Sequence, residues 1–149
     1  MRLISHRGNL NGRSEGKEND PAYIDNAIKL GYDVEIDLWY HQQKFWLGHD
    51  EPMCKTDINW LIDRKHNLWV HCKDLITIDM LRYFQQKMLV DLNYFFHNTD
   101  DCTLTSKGYL WVFPGKQPVK DSIAVLPEKF NNDLSKCVGI CSDHIVDYR

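Results

Sequence analysis

Two carboxylates at alternate positions, Glu35 and Asp37, stand between two histidine-bearing segments, His6-Arg7-Gly8 and His49-Asp50. Imidazole exchanges protons near neutral pH, so His6 and His49 are candidates for a general base and a general acid. Arg7 carries a fork of donors suited to a phosphate oxygen, although a surface ion pair would use the same residue. Alternate residues of a strand face the same way, so the Glu35 and Asp37 side chains share a side. Buried together they repel, and a hard divalent cation such as Mg²⁺ or Ca²⁺ resolves the conflict. A strand with one solvated face shows the same alternation. What favours burial is the return of the same parity in the next strand, at Trp69, His71 and Lys73.

The elements that must position these groups are legible mainly in the first half. Residues 2–6 form a short, mostly apolar strand that breaks at Gly8, and residues 9–19 are a polar loop. Asp20-Pro21 reads as an N-cap with proline at the first helical position, and Gly31 supplies the stop. Residues 33–40 alternate as a strand, with Val34, Ile36 and Leu38 on one face and Glu35, Asp37 and Trp39 on the other. Phe45-Trp46-Leu47 is a second extended run, joined to the first by a hairpin-like excursion. A helix over 57–65 buries Ile58, Leu61 and Ile62. Leu68 to Lys73 is the next strand, and Asp74 caps a helix to about Lys87 that buries Leu75, Ile78, Leu81 and Tyr83 or Phe84. Strand candidates recur near 89–96, 109–113, 122–126 and 137–141, with gaps too short for full helices.

Strands alternating with helices argue for a parallel sheet, whose ligands bind at the C-terminal strand ends. His6-Arg7-Gly8, Glu18-Asn19, Glu35-Ile36-Asp37 and His49-Asp50 all fall at such ends or in the loops after them. An eight-fold barrel takes about 250 residues and rarely fewer than about 200. At 149 residues, the expected fold is α/β, a reduced (β/α) TIM-type barrel with helices shortened or missing in the second half, in one domain over 1–149.

Bulk properties narrow the function. The net charge is -3, and no basic run could hold a nucleic-acid backbone by charge, so no nucleic-acid partner is expected. No apolar stretch is long enough for a membrane span or a signal peptide core. Five cysteines without zinc-knuckle spacing suit reduced thiols in the cytoplasm. The five tryptophans read as core or pocket wall.

In order and spacing, His6-Arg7-Gly8, Glu18-Asn19 leading a helix, Glu35-x-Asp37 and His49-Asp50 together resemble the signature of the glycerophosphodiester phosphodiesterase family, among the phosphatidylinositol phospholipase C-like phosphodiesterases. The clear match covers residues 3–52. It continues more loosely through Val70-His71-Cys72-Lys73, where the family has Glu-x-Lys, and through Gly139-Ile140-Cys141-Ser142-Asp143, which resembles its closing strand. The resemblance implies a metal-dependent phosphoric diester hydrolase of lipid metabolism, acting on small glycerophosphodiester-like or phosphosugar substrates. His6 would be the base and His49 the acid, Arg7 and Lys73 the phosphate holders, and Glu35, Asp37 and His71 the metal ligands. Glu18, Asn19 and Asp50 would support them. One divalent ion is implied: Mg²⁺ or Ca²⁺ first, with Mn²⁺ or Zn²⁺ brought in by His71, which stands where the family has glutamate. The alternatives are a catalytically weak or inactive phosphate-ligand binding module on the same fold and a lyase that releases a cyclic phosphate. Apolar surface exposed by short crossovers leaves a homodimer open.

Overall fold

The computed structural model describes residues 1–149. Its elements are β1 (Arg2–His6), α1 (Pro21–Lys29), β2 (Asp33–His41), β3 (Lys44–Leu47), β4 (Cys54–Thr56), α2 (Ile58–Asp63), β5 (Leu68–Cys72), α3 (Leu75–Met88), β6 (Asn93–Phe95), β7 (Cys102–Leu104), β8 (Leu110–Val112), β9 (Ser122–Val125) and β10 (Gly139–Ser142). Single 3-10 turns at Pro127–Lys129 and Ile145–Tyr148 stand where helices would follow β9 and β10.

Each α-helix starts at an aspartate that accepts backbone N–H groups the first turn leaves open. Asp20 accepts from Ala22 and Tyr23, Asp57 from Trp60, and Asp74 from Thr77. In α3 this start fixes a buried stripe of Thr77, Leu81 and Gln85. Leu75, expected inside, therefore points outward and is 75% exposed. Tyr83 is exposed as well, and Phe84 packs against the core in its place.

β1 lies between β2 and β10, and β2 continues to β5, all parallel. The parallel run extends to β6 on one side and through β9 to β8 on the other. The end of β2 outruns β1 and turns back antiparallel as β3, through Gln42 and Gln43 at φ 50 and 60. Consecutive left-handed residues match the twist of a tight hairpin. β4 and β7 are short antiparallel additions on β3 and β8.

One face of this sheet is apolar toward the helices. Val34, Ile36 and Leu38 of β2 and Val70 and Cys72 of β5 pack on Ile24 and Ala27 of α1, Leu61 of α2 and Leu81 of α3. Each large side chain so buried stabilises by about 1.5–3 kcal/mol. The other face curls around a plug of Ile4, Trp69, Phe95, Trp111, Ile123 and Cys141, contributed by β1, β5, β6, β8, β9 and β10. Trp111 packs on Phe95 at 4.6 Å and on Trp69 at 5.7 Å between ring centroids.

The curl brings β6 to the segment that includes β7. The Ser106 N–H donates to the Tyr94 carbonyl at 2.7 Å, and the Thr103 hydroxyl to the Phe96 carbonyl at 2.9 Å. No strand ladder joins β6 to β7 or β8. The expected reduced TIM-type barrel is thus met only in its coarser part: a mixed α/β chain with a curled, largely parallel sheet and no α-helix after Met88. The crossovers of the second half hold no α-helix, and the longest, residues 126–138, holds only a 3-10 turn. All five cysteines are free thiols, and no helix is long and apolar enough to cross a membrane.

Candidate active site

The plug fills the inside of the curl only part way along the strands. At their C-terminal ends the inward positions turn polar. Register places His6 beside Glu35, Asp37 beside His71, and His71 beside Phe95. Above them opens a cleft of about 700 Å³ lined by His6, Arg7, Glu35, His49, Asp50, His71 and Lys73, among others. Of the sequence-derived candidates, these seven face the cleft; Asp37 lies beneath it, fully buried.

His6 is held by a residue from the far end of the chain. Its Nδ1 lies 2.7 Å from Asp143 Oδ1. Asn9 donates to the same oxygen at 2.8 Å and to Glu18 Oε1 at 2.9 Å. Burial works against ionising Asp143, but the His6 hydrogen bond, His6 charge and Asn9 outweigh it and bring the carboxyl down to about 2. An ionised Asp143 takes the Nδ1–H of His6 and leaves the Nε2 lone pair free. That Nε2 is 3.8 Å from Glu35 Oε2.

Glu35 and Asp37 share a face of β2 but have opposite surroundings. Asp37 lies 3.1 Å from His71 Nδ1, 3.1 Å from Lys73 Nζ and 2.9 Å from Arg7 Nε, the last poorly aligned for a hydrogen bond. The Asn19 side chain, on a backbone at φ 62, both donates to Asp37 Oδ2 and accepts the Asp37 N–H, each at 2.9 Å. Burial alone would raise Asp37; the His71 hydrogen bond and the charges of Arg7 and Lys73 hold it far below the usual carboxylate range. Glu35 has no such company. Its Oε2 is buried without a hydrogen-bond partner, and burial followed by the charge of Asp37 raises its carboxyl.

A loop after each strand completes the wall. Arg7, at φ 56, donates its N–H to the Glu35 carbonyl, which fixes the turn after β1. Its guanidinium lies 3.4 Å from Glu18, which also takes Arg13 at 3.0 Å, so Glu18 anchors the loop rather than His6 directly. Gly8 can be nothing larger: at φ +92, a Cβ would sit 2.6 Å from the Tyr23 ring. His49 follows Gly48, whose N–H reaches the Asp37 carbonyl and whose own carbonyl accepts Trp39 Nε1–H at 2.6 Å. A Cβ on Gly48 would fall onto the Glu51 carbonyl oxygen. The His49 Nδ1 lies 2.7 Å from Asp50, and its side chain is 44% exposed. Burial, then the positive charge of Arg7, lowers its pKa.

Glu35, Asp37 and His71 offer ligand atoms that all lie within 4.8 Å of one another. The unpartnered Glu35 oxygen is the feature that fits a cation; His71 Nδ1 serves Asp37 in the free protein, and could ligate only in the tautomer protonated at Nε2, which gives up that hydrogen bond. Asp37 fits less simply, because Arg7 and Lys73 already balance its charge.

Sequence reasoning missed three contributors. Asp143 was visible only as part of a strand pattern, and Asn9 gave no signal. His97 stacks on His71 at 4.3 Å with planes 10° apart, and Phe113 meets His97 edge-on at 4.5 Å. Burial, then the nearby His71 and Lys73, brings His97 down to about 4, so it stands neutral beside the site. Comparison of the chain with protein-family models, with curated proteins and with solved structures finds no match in any of the three.

Proposed function

We propose that this chain is a metal-dependent phosphodiesterase of small phosphodiesters. The observation that carries the reading is the His6–Asp143 pair at 2.7 Å, aimed at the Glu35 carboxylate in a cleft with Arg7 and Lys73 on its wall. A carboxylate-oriented imidazole beside an unsatisfied carboxylate and fixed cations is the equipment of acid–base attack on an anionic ester. The motif resemblance of residues 3–52 points the same way.

In this reading Arg7 and Lys73 face the phosphoryl oxygens. His6 Nε2 takes the proton of the attacking hydroxyl, of water or of the substrate's own alcohol, as the new O–P bond forms. Asp143 stabilises the imidazolium that results. His49 gives a proton to the departing oxygen as the old P–O bond breaks. Its lowered pKa in the free protein rises when a phosphate anion enters, because opposite charge favours the protonated ring. A divalent ion held by Glu35, Asp37 and His71 would supply charge neutralisation at the phosphoryl oxygens. Two carboxylates and an imidazole suit Mn²⁺ or Zn²⁺ at least as well as Mg²⁺ or Ca²⁺.

A phosphate-binding module without turnover is a second reading, favoured by one observation: His49 is half exposed, and its only hydrogen-bond partner, Asp50, is almost fully exposed. The experiment that separates the two is hydrolysis of bis-p-nitrophenyl phosphate and glycerophosphocholine, after EDTA and with each ion restored, for wild type and His6→Ala. The phosphodiesterase reading expects metal-restored activity that falls by about 10²–10⁴ in the variant. Activity that survives His6→Ala would remove His6 from the mechanism, and a folded protein inert with every ion would favour the binding module.

A further inference from the structure

The cleft is divided. It has 18 lining residues, of which 5 are hydrophobic: Phe96, Trp111, Phe113, Val125 and Leu126. All of these come from β8, β9 and the ends of β6, β8 and β9. None comes from β1, β2, β3, β5 or β10, which with the loops after them bring His6, His49, His71, Arg7, Lys73 and the carboxylates; the polar residues from the wall's own strand ends are His97, Asn98 and Lys129. The carboxylates that line the cleft, Glu35, Asp50 and Asp143, follow or lie on these other strands.

The wall is built of rings. Trp111 is 2% exposed and backs it from the plug, while Phe96 is 37% exposed and open to whatever enters. Phe113 is braced edge-to-face against His97 at 88°, and Pro114 continues the lining beside it. A cleft of about 700 Å³ far exceeds what a phosphate with a three-carbon alcohol needs and is of the size that holds a drug-sized ligand. Aromatic faces at contact distance reward a flat, weakly polar partner beyond the area it buries. An aromatic wall can also hold a quaternary ammonium, but the charged residue that lines the cleft from the same strand ends is a cation, Lys129.

We propose that one arm of the phosphodiester is a planar aromatic or heteroaromatic ring, held against Phe96 and Phe113 while the phosphate lies by Arg7 and Lys73. This rests on the phosphodiesterase reading and gives its substrate class: esters with a ring-bearing alcohol rather than a bare glycerol or choline.

Affinity measured by titration calorimetry, with Mn²⁺ present, tests it without turnover. The probes share a phosphate and differ in the arm: inorganic phosphate, glycerol 3-phosphate, phosphocholine, hexyl phosphate and phenyl phosphate. The expected result is phenyl phosphate about tenfold tighter than the other four, an advantage of the size ring contacts give. Phe96→Ala, a change at a solvent-facing ring, and Phe113→Ala should each shrink the ratio of phenyl to inorganic phosphate toward one. Equal affinity for all probes would overturn the inference and leave the phosphodiesterase reading standing. So would phosphocholine as the tightest binder, or hexyl phosphate equal to phenyl. Failure of inorganic phosphate itself to bind would remove the phosphate site, and the inference with it.

Discussion

Replacing Glu35 by glutamine should make the metal-free protein more stable and the metal-bound protein less so. Glu35 is 3% exposed, one of its oxygens has no hydrogen-bond partner, and Asp37 beside it is ionised. A buried polar group left unsatisfied costs about 1–3 kcal/mol, and more when charged. Glutamine removes the charge and keeps the shape. In EDTA at pH 8, Glu35→Gln should gain about 2 kcal/mol, or about 4–8 °C in melting temperature for a chain of this size. The folded carboxyl is raised, so the folded state keeps a proton that the unfolded chain has released above about pH 4.3. The Glu35 contribution to stability in EDTA is therefore fully present below that pH and is lost as pH rises through the raised folded pKa, and the variant should lack this loss. Metal reverses the ranking. An ion at about a hundredfold its dissociation constant stabilises wild type by about 2.7 kcal/mol, and Glu35→Gln should lose most of that gain. Thermal melts followed by circular dichroism, over pH 4–9 with EDTA and then with Mn²⁺, Zn²⁺, Mg²⁺ or Ca²⁺, supply the readout. A variant that melts below wild type in EDTA, together with equal metal shifts in both proteins, would refute the idea that Glu35 is the unsatisfied ligand.

The other predictions concern the groups around it. Asp143→Asn should lower kcat on bis-p-nitrophenyl phosphate by about a hundredfold or more with a smaller change in KM, because His6 loses the carboxylate that fixes its tautomer. The same carboxyl shapes acid stability. Unfolded, it binds its proton near pH 3.9; folded, it resists until about 2, so about 2–3 kcal/mol present above pH 4 is lost as pH falls to 2, and urea titrations of wild type and variant should converge there. Asn19→Ala should cost about 2–4 kcal/mol in urea unfolding, since it strips Asp37 of two buried hydrogen bonds and puts a Cβ-bearing residue without local support at φ 62. Asn19→Gly should recover only the backbone part. Leu81→Ala, at a fully buried position joining α3 to the sheet, should cost about 2–5 kcal/mol while metal-dependent shifts in melting temperature persist.

The sequence made the first half legible because period and caps agree there. The alternation of residues 33–40 and 68–73 set which face met the helices, and that face is the one Val34, Ile36 and Val70 bury. Asp20 and Asp74 cap the helices that their positions suggested, and of Thr56 and Asp57, either of which could have capped the second helix, it is Asp57 that does. Cap chemistry also corrects the pattern: Leu75 fits an apolar stripe, but the turn that Asp74 starts aims Thr77 inward instead. β4 and β7 escaped notice because each is three residues long, too short for an alternation to show. Periodicity tells which way a side chain faces and not what it meets. It brought His6, Glu35 and Asp37 to one side, yet could not pair His6 with Asp143, which is 137 positions away. Nor could it show that His97 would lie flat on His71, since that contact depends on how far the sheet curls.

The division of labour between Glu35 and Asp37 follows from the same curl. The carboxylates sit one alternation apart on β2, yet both nearby cations, the His71 ring and the Asn19 amide lie on Asp37. No hydrogen bond reaches Glu35 Oε2; His6 Nε2 stands 3.8 Å from it, and His71 Nδ1 stands 3.8 Å from Oε1. Burial pushes both acids upward; only Asp37 has the partners to overcome it. Neighbouring acids whose surroundings drive their pKa values apart have been given different work. Asp37 ties β1, β2 and β5 together at the floor of the cleft, and its charge is already balanced. Glu35, facing the cleft beside the His6 imidazole, is the group that still lacks a partner. In the proposed reading a cation would meet Glu35 first; it would gain His71 only if that ring gave up Asp37, and Asp37 only by sharing it with Arg7 and Lys73. Those same side chains then become freer to meet a phosphate, so occupancy by the ion and by the anion should favour each other.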